Sequence, residues 1–190
     1  MKTPEKEKLL PPGRAAAVLE WLEELTAAVV FIAVAFTFVV RVVTVSGTSM
    51  EPNYRDQDRL LVAGCWGGPR RGDVVVILNV LEEPILKRVI ATAGQTVRFD
   101  DAAGVVLVDG RPVDDTKFGL ENGRTYLPYG SPDRMEFPQT VPPGCVFVLG
   151  DNRPVSEDSR FRAVGMVDER HILGRAVFRL SPAESFGPVT

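Results

Sequence analysis

The chain has 190 residues, 22 Lys and Arg against 25 Asp and Glu, a net charge of −3 and 45% apolar residues. Its slightly acidic balance excludes nucleic acid as the expected partner. The apolar content is sufficient for one domain of ordinary size plus a membrane anchor. The 17 Gly and 15 Pro residues favour short strands and turns over long helices.

The first apolar segment, residues 25–40, carries no charged side chain. It is slightly shorter than the roughly 20 residues that span a bilayer. Arg41 can extend toward the far interface, and Trp21 lies where an interfacial aromatic residue anchors a helix. We predict a transmembrane anchor. A buried core helix is one alternative, and a cleaved signal peptide is another, although no small-x-small cleavage site follows the apolar segment.

The charges before the anchor predict its orientation. Four basic residues precede it: Lys2, Lys6, Lys8 and Arg14. The positive-inside rule keeps that end of the chain in the cytoplasm. We therefore predict a cytoplasmic tail at residues 1–14, a single-pass anchor with its flanks at 15–41, and an extracytoplasmic domain at 42–190.

The remaining chain has the pattern of an all-β domain. Short apolar or alternating runs, separated by Gly, Pro and Asp, predict strands at 43–47, 59–63, 73–78, 85–92, 96–99, 105–108, 111–113, 145–149 and 176–180. Asp109-Gly110 is a strong hairpin signal. An irregular insertion is predicted at about residues 100–143. The predicted fold class is mainly β: one N-terminal transmembrane helix, then a catalytic domain of antiparallel sheets.

The two cysteines, Cys65 and Cys145, do not have the spacing of metal ligands. They could form one disulfide in an extracytoplasmic domain, or they could remain two free buried thiols. No metal site and no cofactor are predicted, and the sequence makes no prediction of oligomeric state.

Ser49 and Lys87 are the residues whose setting indicates catalysis. Ser49 lies in the turn Ser-Gly-Thr-Ser-Met-Glu-Pro after the apolar segment, and Lys87 lies in an apolar run. A serine hydroxyl is a poor nucleophile until a base takes its proton. The only histidine, His171, is far along the chain, so Lys87 is the best candidate base. Burial would lower its pKa and make the neutral amine available. The alternatives are a turn serine and an exposed strand lysine.

Four sequence blocks together resemble bacterial type I signal peptidases, the membrane-anchored Ser-Lys proteases that remove signal peptides from exported proteins. These blocks are residues 46–52, 71–76, 86–90 and 150–160. The resemblance implies a serine endopeptidase of the plasma membrane that cleaves signal-peptide-bearing preproteins after small residues. The lipid bilayer and these preproteins are then its partners.

The resemblance also implies residue roles. Ser49 is the nucleophile, Lys87 is the general base, and Ser156 hydrogen-bonds the lysine amine. A charged scaffold that fixes the lysine strand against the last block comprises Arg88, Asp151, Asp158 and Arg160. The Ser49 N–H contributes to the oxyanion hole, and Gly47 permits close approach of the substrate carbonyl. Shallow apolar pockets for small residues are lined by Val43, Val45, Met50 and Leu86.

Three features depart from the family pattern: Gly47, where some relatives have a serine that donates to the oxyanion, Asn53, where relatives usually have Thr, and the turn at residues 91–95. Two other classes of protein share part of the pattern. A self-cleaving Ser-Lys repressor has a Ser-Met dipeptide and a lysine base but lacks the anchor and the last block. A membrane-tethered β domain that acts as a scaffold is the non-enzymatic alternative.

Overall fold

The computed structural model describes residues 13–189. Helix α1 (Arg14–Val39) is followed by strands and three 3-10 helices (Asp115–Phe118, Glu169–His171 and Ala183–Ser185). The strands are β1 (Val40–Thr44), β2 (Arg59–Ala63), β3 (Val74–Ile77), β4 (Ile85–Thr92), β5 (Thr96–Asp100), β6 (Val105–Val108), β7 (Arg111–Pro112), β8 (Gln139–Thr140), β9 (Cys145–Leu149), β10 (Val167–Asp168), β11 (Ile172–Ser181) and β12 (Gly187–Pro188). The predicted tail, with Lys2, Lys6 and Lys8, lies outside the described residues except for residues 13 and 14.

Helix α1 has 26 residues and a largely apolar sequence. Many of its large apolar side chains are exposed: Val18, Leu19, Trp21, Leu22, Leu25, Val29, Val30, Phe31, Ile32 and Val34. Within residues 13–189, no helix combines the length and the apolar character required to cross a membrane. The chain divides into two compact units at Val39 and Val40. Val40 and Arg41 form the start of β1, because they pair with Ala63 and Val62 of β2.

The larger sheet of the second unit has eight strands in the order β1-β2-β11-β3-β4-β9-β10, with β12 beside β11. Every pairing in it is antiparallel. The prediction of a mainly β, antiparallel fold is therefore confirmed. All of β3 is buried, as its continuous run of β-branched residues indicated. β1 lies at one end of the sheet order.

The smaller sheet has the order β7-β6-β5-β8. Asp109 and Gly110 join β6 to β7 with φ angles of 52° and 75°, which are the left-handed values that a two-residue hairpin requires. The insertion predicted at about 100–143 contains the two predicted strands β6 and β7, and it also contains β8 and the first 3-10 helix, which the sequence did not indicate. β8 was not predicted because two residues are too few to show the alternation of apolar and polar side chains that indicates a strand.

Three clusters of buried side chains form the core of the second unit. One of them joins Val45, Met50 and Tyr54, from the segment after β1, to Leu60 and Val76 of the larger sheet. Apolar packing against the larger sheet therefore holds the segment that contains Ser49 in place.

Cys65 and Cys145 are both free thiols and half-buried. Burial raises the pKa of each thiol above its usual value. Of the two alternatives left open by the sequence, the structure shows free cysteines.

Candidate active site

The structure brings Ser49 and Lys87 together. Ser49 lies in the loop between β1 and β2, which we call the nucleophile loop (residues 45–58), and Lys87 lies in the middle of β4. Lys87 Nζ donates a 2.9 Å hydrogen bond to Ser49 Oγ. The loop is closed by hydrogen bonds from the Val45 N–H to the Asp58 carbonyl and from the Glu51 N–H to the Thr48 carbonyl. The distance between Lys87 Nζ and Ser49 Oγ is within the range that a serine nucleophile and its general base require.

The Lys87 side chain is almost fully buried, and only 3% of the residue is exposed. Burial is the largest influence on its pKa, which is lowered from 10.5. The carboxylates of Asp158, Glu157 and Asp151 oppose this shift, and the Arg160 guanidinium reinforces it. At a given pH, a larger fraction of Lys87 is therefore neutral than of an exposed lysine.

Arg88, the residue after Lys87, forms a buried bidentate ion pair with Asp151. Arg88 Nε donates to Asp151 Oδ1 at 2.8 Å and Nη2 donates to Oδ2 at 2.7 Å, and neither side chain is exposed. Nη1 donates to the Gly72 carbonyl, and the guanidinium lies 4.7 Å from the centre of the Phe118 ring. This pair joins the lysine strand to the last sequence block.

Asp158 and Arg160, the other two residues of the expected charged scaffold, form an ion pair of a different geometry. Arg160 Nε and Nη2 donate to Asp158 at 2.8 and 2.9 Å, so the pair lies within the last block and does not reach β4. Asp158 also accepts a 3.0 Å hydrogen bond from the Gly150 N–H. The pair therefore stabilises the shape of the block itself.

Asp151→Asn should destabilise the fold by about 3–5 kcal/mol, because it leaves the buried Arg88 charge uncompensated. Urea unfolding of both forms measures this difference. Glu121→Gln is the matched control, since it removes the partner of Arg124 in a pair with exposed side chains. Its cost should stay below about 1 kcal/mol. Similar small values for both variants would contradict the importance of the buried pair.

Ser156 is buried beside the nucleophile loop. A side chain on Gly150 would overlap both the Ser156 hydroxyl and the Ser49 carbonyl oxygen, so Gly150 allows these residues to approach each other. Ser156 Oγ has no hydrogen-bond partner in the described part of the chain. The hydrogen bond expected between Ser156 and Lys87 is therefore not formed in this structure, where the amine donates to Ser49 instead.

Ser49 and Gly47, the two residues expected at the oxyanion hole, differ in whether their backbone N–H groups already donate a hydrogen bond. The Ser49 N–H donates to no acceptor among residues 13–189. The Gly47 N–H donates to Asp56 Oδ1 at 2.9 Å and is therefore already engaged. No atom lies within 4 Å of where a Gly47 Cβ would be, so the loop is open to close approach there. Ser49 remains the candidate backbone donor.

A cavity of about 190 Å³ borders the residues that precede Ser49. Three of the four predicted pocket residues line it: Val43, Val45 and Leu86. Met50 does not line this cavity, so its place in a substrate pocket stays a prediction. It is 1% exposed and packs in the core with Tyr54.

The sequence did not single out Asn152 for the site. Its N–H donates to the Ser49 carbonyl and its side chain donates to the Thr48 carbonyl, both at 3.0 Å. Asn152 therefore holds the nucleophile loop against the last block. Its position in the Gly-Asp-Asn-Arg run was the signal that could have identified it.

Asn53, which departs from the family pattern, also bridges elements. Its side chain donates to the Phe118 carbonyl at 2.7 Å and to Asp151 Oδ2 at 2.8 Å. In the other unusual turn, the Gln95 side chain accepts a 3.0 Å hydrogen bond from the Thr92 N–H. Both departures are thus accommodated by new side-chain hydrogen bonds.

A third buried ion pair was not predicted. Arg153 donates two 2.8 Å hydrogen bonds to Asp115, which lies in the first 3-10 helix. It also donates to Thr125 and to the Gly150 carbonyl. This network fastens the segment after β7 to the last sequence block.

No group of three or more His, Cys, Asp or Glu side chains that could hold a metal ion occurs among the described residues.

Most of the chain is similar in sequence to known peptidases. The family described as signal peptidase, peptidase S26, matches residues 18–181. Signal peptidase IB of Staphylococcus aureus (strain COL) is 31% identical over 180 residues, covering 89% of this chain and 92% of that protein. Signal peptidase I of Leptolyngbya laminosa is 32% identical over 197 residues, covering 93% and 90%.

A crystal structure of a signal peptidase I from Enterococcus faecalis V583 aligns with a TM-score of 0.41 and 26% identity, over 56% of this chain and 95% of that one. The sequence relatives define the chain as a serine-type peptidase, a hydrolase. It belongs to the signal peptidase family, peptidase S26. This assignment favours a peptidase over the repressor and scaffold alternatives.

Proposed function

We propose that the protein is a membrane-bound serine endopeptidase that removes N-terminal signal peptides from exported preproteins, with Ser49 as nucleophile and Lys87 as general base. The observation that carries the proposal is the 2.9 Å hydrogen bond between Ser49 Oγ and a buried Lys87 amine. A lysine can act as a base only when neutral, and burial favours that form.

The reaction proceeds in two steps. Ser49 Oγ attacks the carbonyl carbon of the scissile bond while its proton passes to Lys87 Nζ, and the Ser49 N–H stabilises the oxyanion. Lys87 then gives the proton to the leaving amine, which is the new N-terminus of the mature protein. Water then attacks the acyl carbon and loses a proton to Lys87 Nζ. The bond between the acyl carbon and Ser49 Oγ breaks, Lys87 returns the proton to Ser49 Oγ, and the signal peptide leaves with a free carboxylate.

Cleavage after small residues is supported by the cavity beside β1. Its volume of about 190 Å³ and its lining by Val43, Val45 and Leu86 suit short apolar side chains. β1 lies at the end of the larger sheet, so an extended substrate can add beside it as a further strand. Residues one and three before the bond would then face the cavity together, because side chains alternate along a strand.

Membrane attachment through α1 is the further part of the proposal. Supporting it are the uncharged run at residues 25–40 and the exposed apolar side chains of the helix. The basic residues that precede the anchor favour a cytoplasmic N-terminus and an extracytoplasmic catalytic domain. Attachment to the membrane that holds the preproteins would raise the effective concentration of both partners.

The test is incubation of the full chain in a nonionic detergent with a purified preprotein, followed by mapping of the new N-terminus. We expect one cut, after a small residue that has a second small residue two positions earlier. Absence of cleavage, or cleavage within the mature domain, would contradict the proposed activity. Carbonate extraction of membranes from cells that express the chain tests attachment: recovery in the soluble fraction would contradict it.

Ser156→Ala should lower turnover roughly 10²-fold, a typical contribution of a well-aligned general base. We propose that the unpartnered Ser156 hydroxyl orients the Lys87 lone pair once substrate engages Ser49, and a water can replace it in part. Steady-state kinetics measure the change. Ser185→Ala, which deletes an exposed hydroxyl, is the control and should leave the rate unchanged. An unaltered rate in Ser156→Ala would leave this serine with a packing role only.

A further inference from the structure

A second cavity, of about 380 Å³, borders the residues that follow Ser49 rather than those that precede it. It lies between Glu51 and Pro52 of the nucleophile loop, residues 119–124, and residues 151–154. A third cavity of about 360 Å³ shares Arg124, Arg153 and Pro154 with it and continues to Val155 and Ser156. We call the two together the outer groove. None of its lining residues belongs to the cavity beside β1.

The wall of the outer groove is hydrogen-bonded to the nucleophile loop. Asn152, in its wall, donates hydrogen bonds to the carbonyl groups of Thr48 and Ser49. Ser156 lines the third cavity, and a side chain on Gly150 would overlap both its hydroxyl and the Ser49 carbonyl oxygen. A peptide held with its scissile bond at Ser49 would therefore reach the outer groove within one or two residues.

An extended substrate needs space on both sides of the bond. If the residues before the bond occupy the cavity beside β1, the chain after the bond must leave the nucleophile loop in another direction. The outer groove borders the same loop at Glu51 and Pro52 and contains exposed Pro154 and Val155, the latter 65% exposed. These side chains offer apolar contact to an extended peptide.

The outer groove has one negative charge that is not balanced. Five of its six charged side chains are in ion pairs: Glu121 with Arg124, Asp151 with Arg88, Arg153 with Asp115, and Arg160 with Asp158. The sixth, half-buried Glu51, has no side-chain hydrogen bond or ion pair within residues 13–189. Its carboxylate is therefore available to a cation brought by the substrate.

We infer that the outer groove binds the first residues of the mature protein, immediately after the scissile bond, and that Glu51 favours Lys or Arg there. This inference rests on the proposed function and extends it from the residues before the cut to those after it. Glu51 acts on substrate choice, and the chemical step still belongs to Ser49 and Lys87.

The test uses three peptides with one signal sequence and cleavage site, which carry Lys, Gln or Glu at the second and third positions after the bond. The full chain in a nonionic detergent at low salt should prefer Lys over Gln in kcat/KM by about threefold, the scale of a partly exposed ion pair. The Glu peptide should be cut about threefold more slowly than the Gln peptide. Added salt should reduce both differences, because it screens the charges.

Glu51→Gln should remove the preference and Glu51→Lys should reverse it, while the Gln peptide is still cut. Glu184→Gln is the matched control, since Glu184 is exposed in the third 3-10 helix and lines neither groove nor cavity. It should keep the preference of the parent chain. Cleavage of the Gln peptide with no charge preference, or a preference unchanged in Glu51→Gln, would overturn the inference alone. Failure to cut any of the peptides or a preprotein would overturn the proposed function as well.

Discussion

Ser49→Ala is expected to abolish cleavage of preproteins and peptides, with a loss of roughly 10⁴-fold or more, as for other serine nucleophiles. The substitution removes the oxygen that attacks the substrate carbonyl and leaves no acyl-enzyme route. The fold should survive, because Ser49 is half-buried and, among residues 13–189, its hydroxyl hydrogen-bonds only Lys87. Single-turnover kinetics, with circular dichroism and urea unfolding of the same preparation, measure both outcomes.

The neighbouring residue provides the control. Thr48→Ala deletes an exposed hydroxyl one position earlier in the same loop. Its rate should remain within severalfold of the parent chain. Residual activity in Ser49→Ala above a few per cent of the parent would assign the nucleophile to another residue.

Lys87→Met and Lys87→Arg should both be folded and inactive. Met keeps the length and apolar packing of the side chain but cannot accept a proton, and a guanidinium stays protonated in proteins. In the parent chain, kcat/KM should rise with pH as Lys87 loses its proton, with a midpoint below 10.5 because burial lowers the pKa. His171→Ala should leave this pH profile unchanged.

The same lowered pKa predicts how stability depends on pH. Between the folded pKa of Lys87 and the unfolded value of 10.5, the unfolded chain binds more protons. The stability of the parent chain relative to Lys87→Met should therefore rise with pH through that interval. Urea unfolding of both at neutral and alkaline pH measures it. A Lys87 that remains charged at alkaline pH, in an enzyme active at neutral pH, would rule out the Ser-Lys mechanism.

The strands were predictable where the sequence marks both ends. β2, β4, β6 and β9 have the bounds that their apolar runs indicated, because Gly, Pro or Asp interrupts the pattern beside them. β10 and β12 could not be predicted in this way. Each has two residues, and pairing with a longer neighbour, rather than any period of its own, makes it a strand.

The candidate site was predictable to the extent that the family resemblance named its members. Lys87 and Ser49 are 38 positions apart, and nothing local in either segment fixes their contact. The burial of Met50 could not be predicted from the alternation of Val43 and Val45, because β1 ends at Thr44 and a turn at Gly47, where φ is 82°, follows it. Asp115 could not be identified since its burial depends on Arg153, a distant partner in another segment.

Strand β4 carries Lys87 and Arg88 side by side, one toward Ser49 and the other toward Asp151. Successive side chains of a strand point to opposite faces, so a shift of one residue in its pairing with β3 would exchange them. A permanently charged guanidinium would then face the nucleophile. The buried apolar residues of this strand tolerate only substitutions that keep their volume, whereas a single-residue insertion or deletion before Lys87 would also exchange the two cations. Alignment gaps among relatives should accordingly fall in the loops on either side of β4 and never inside it.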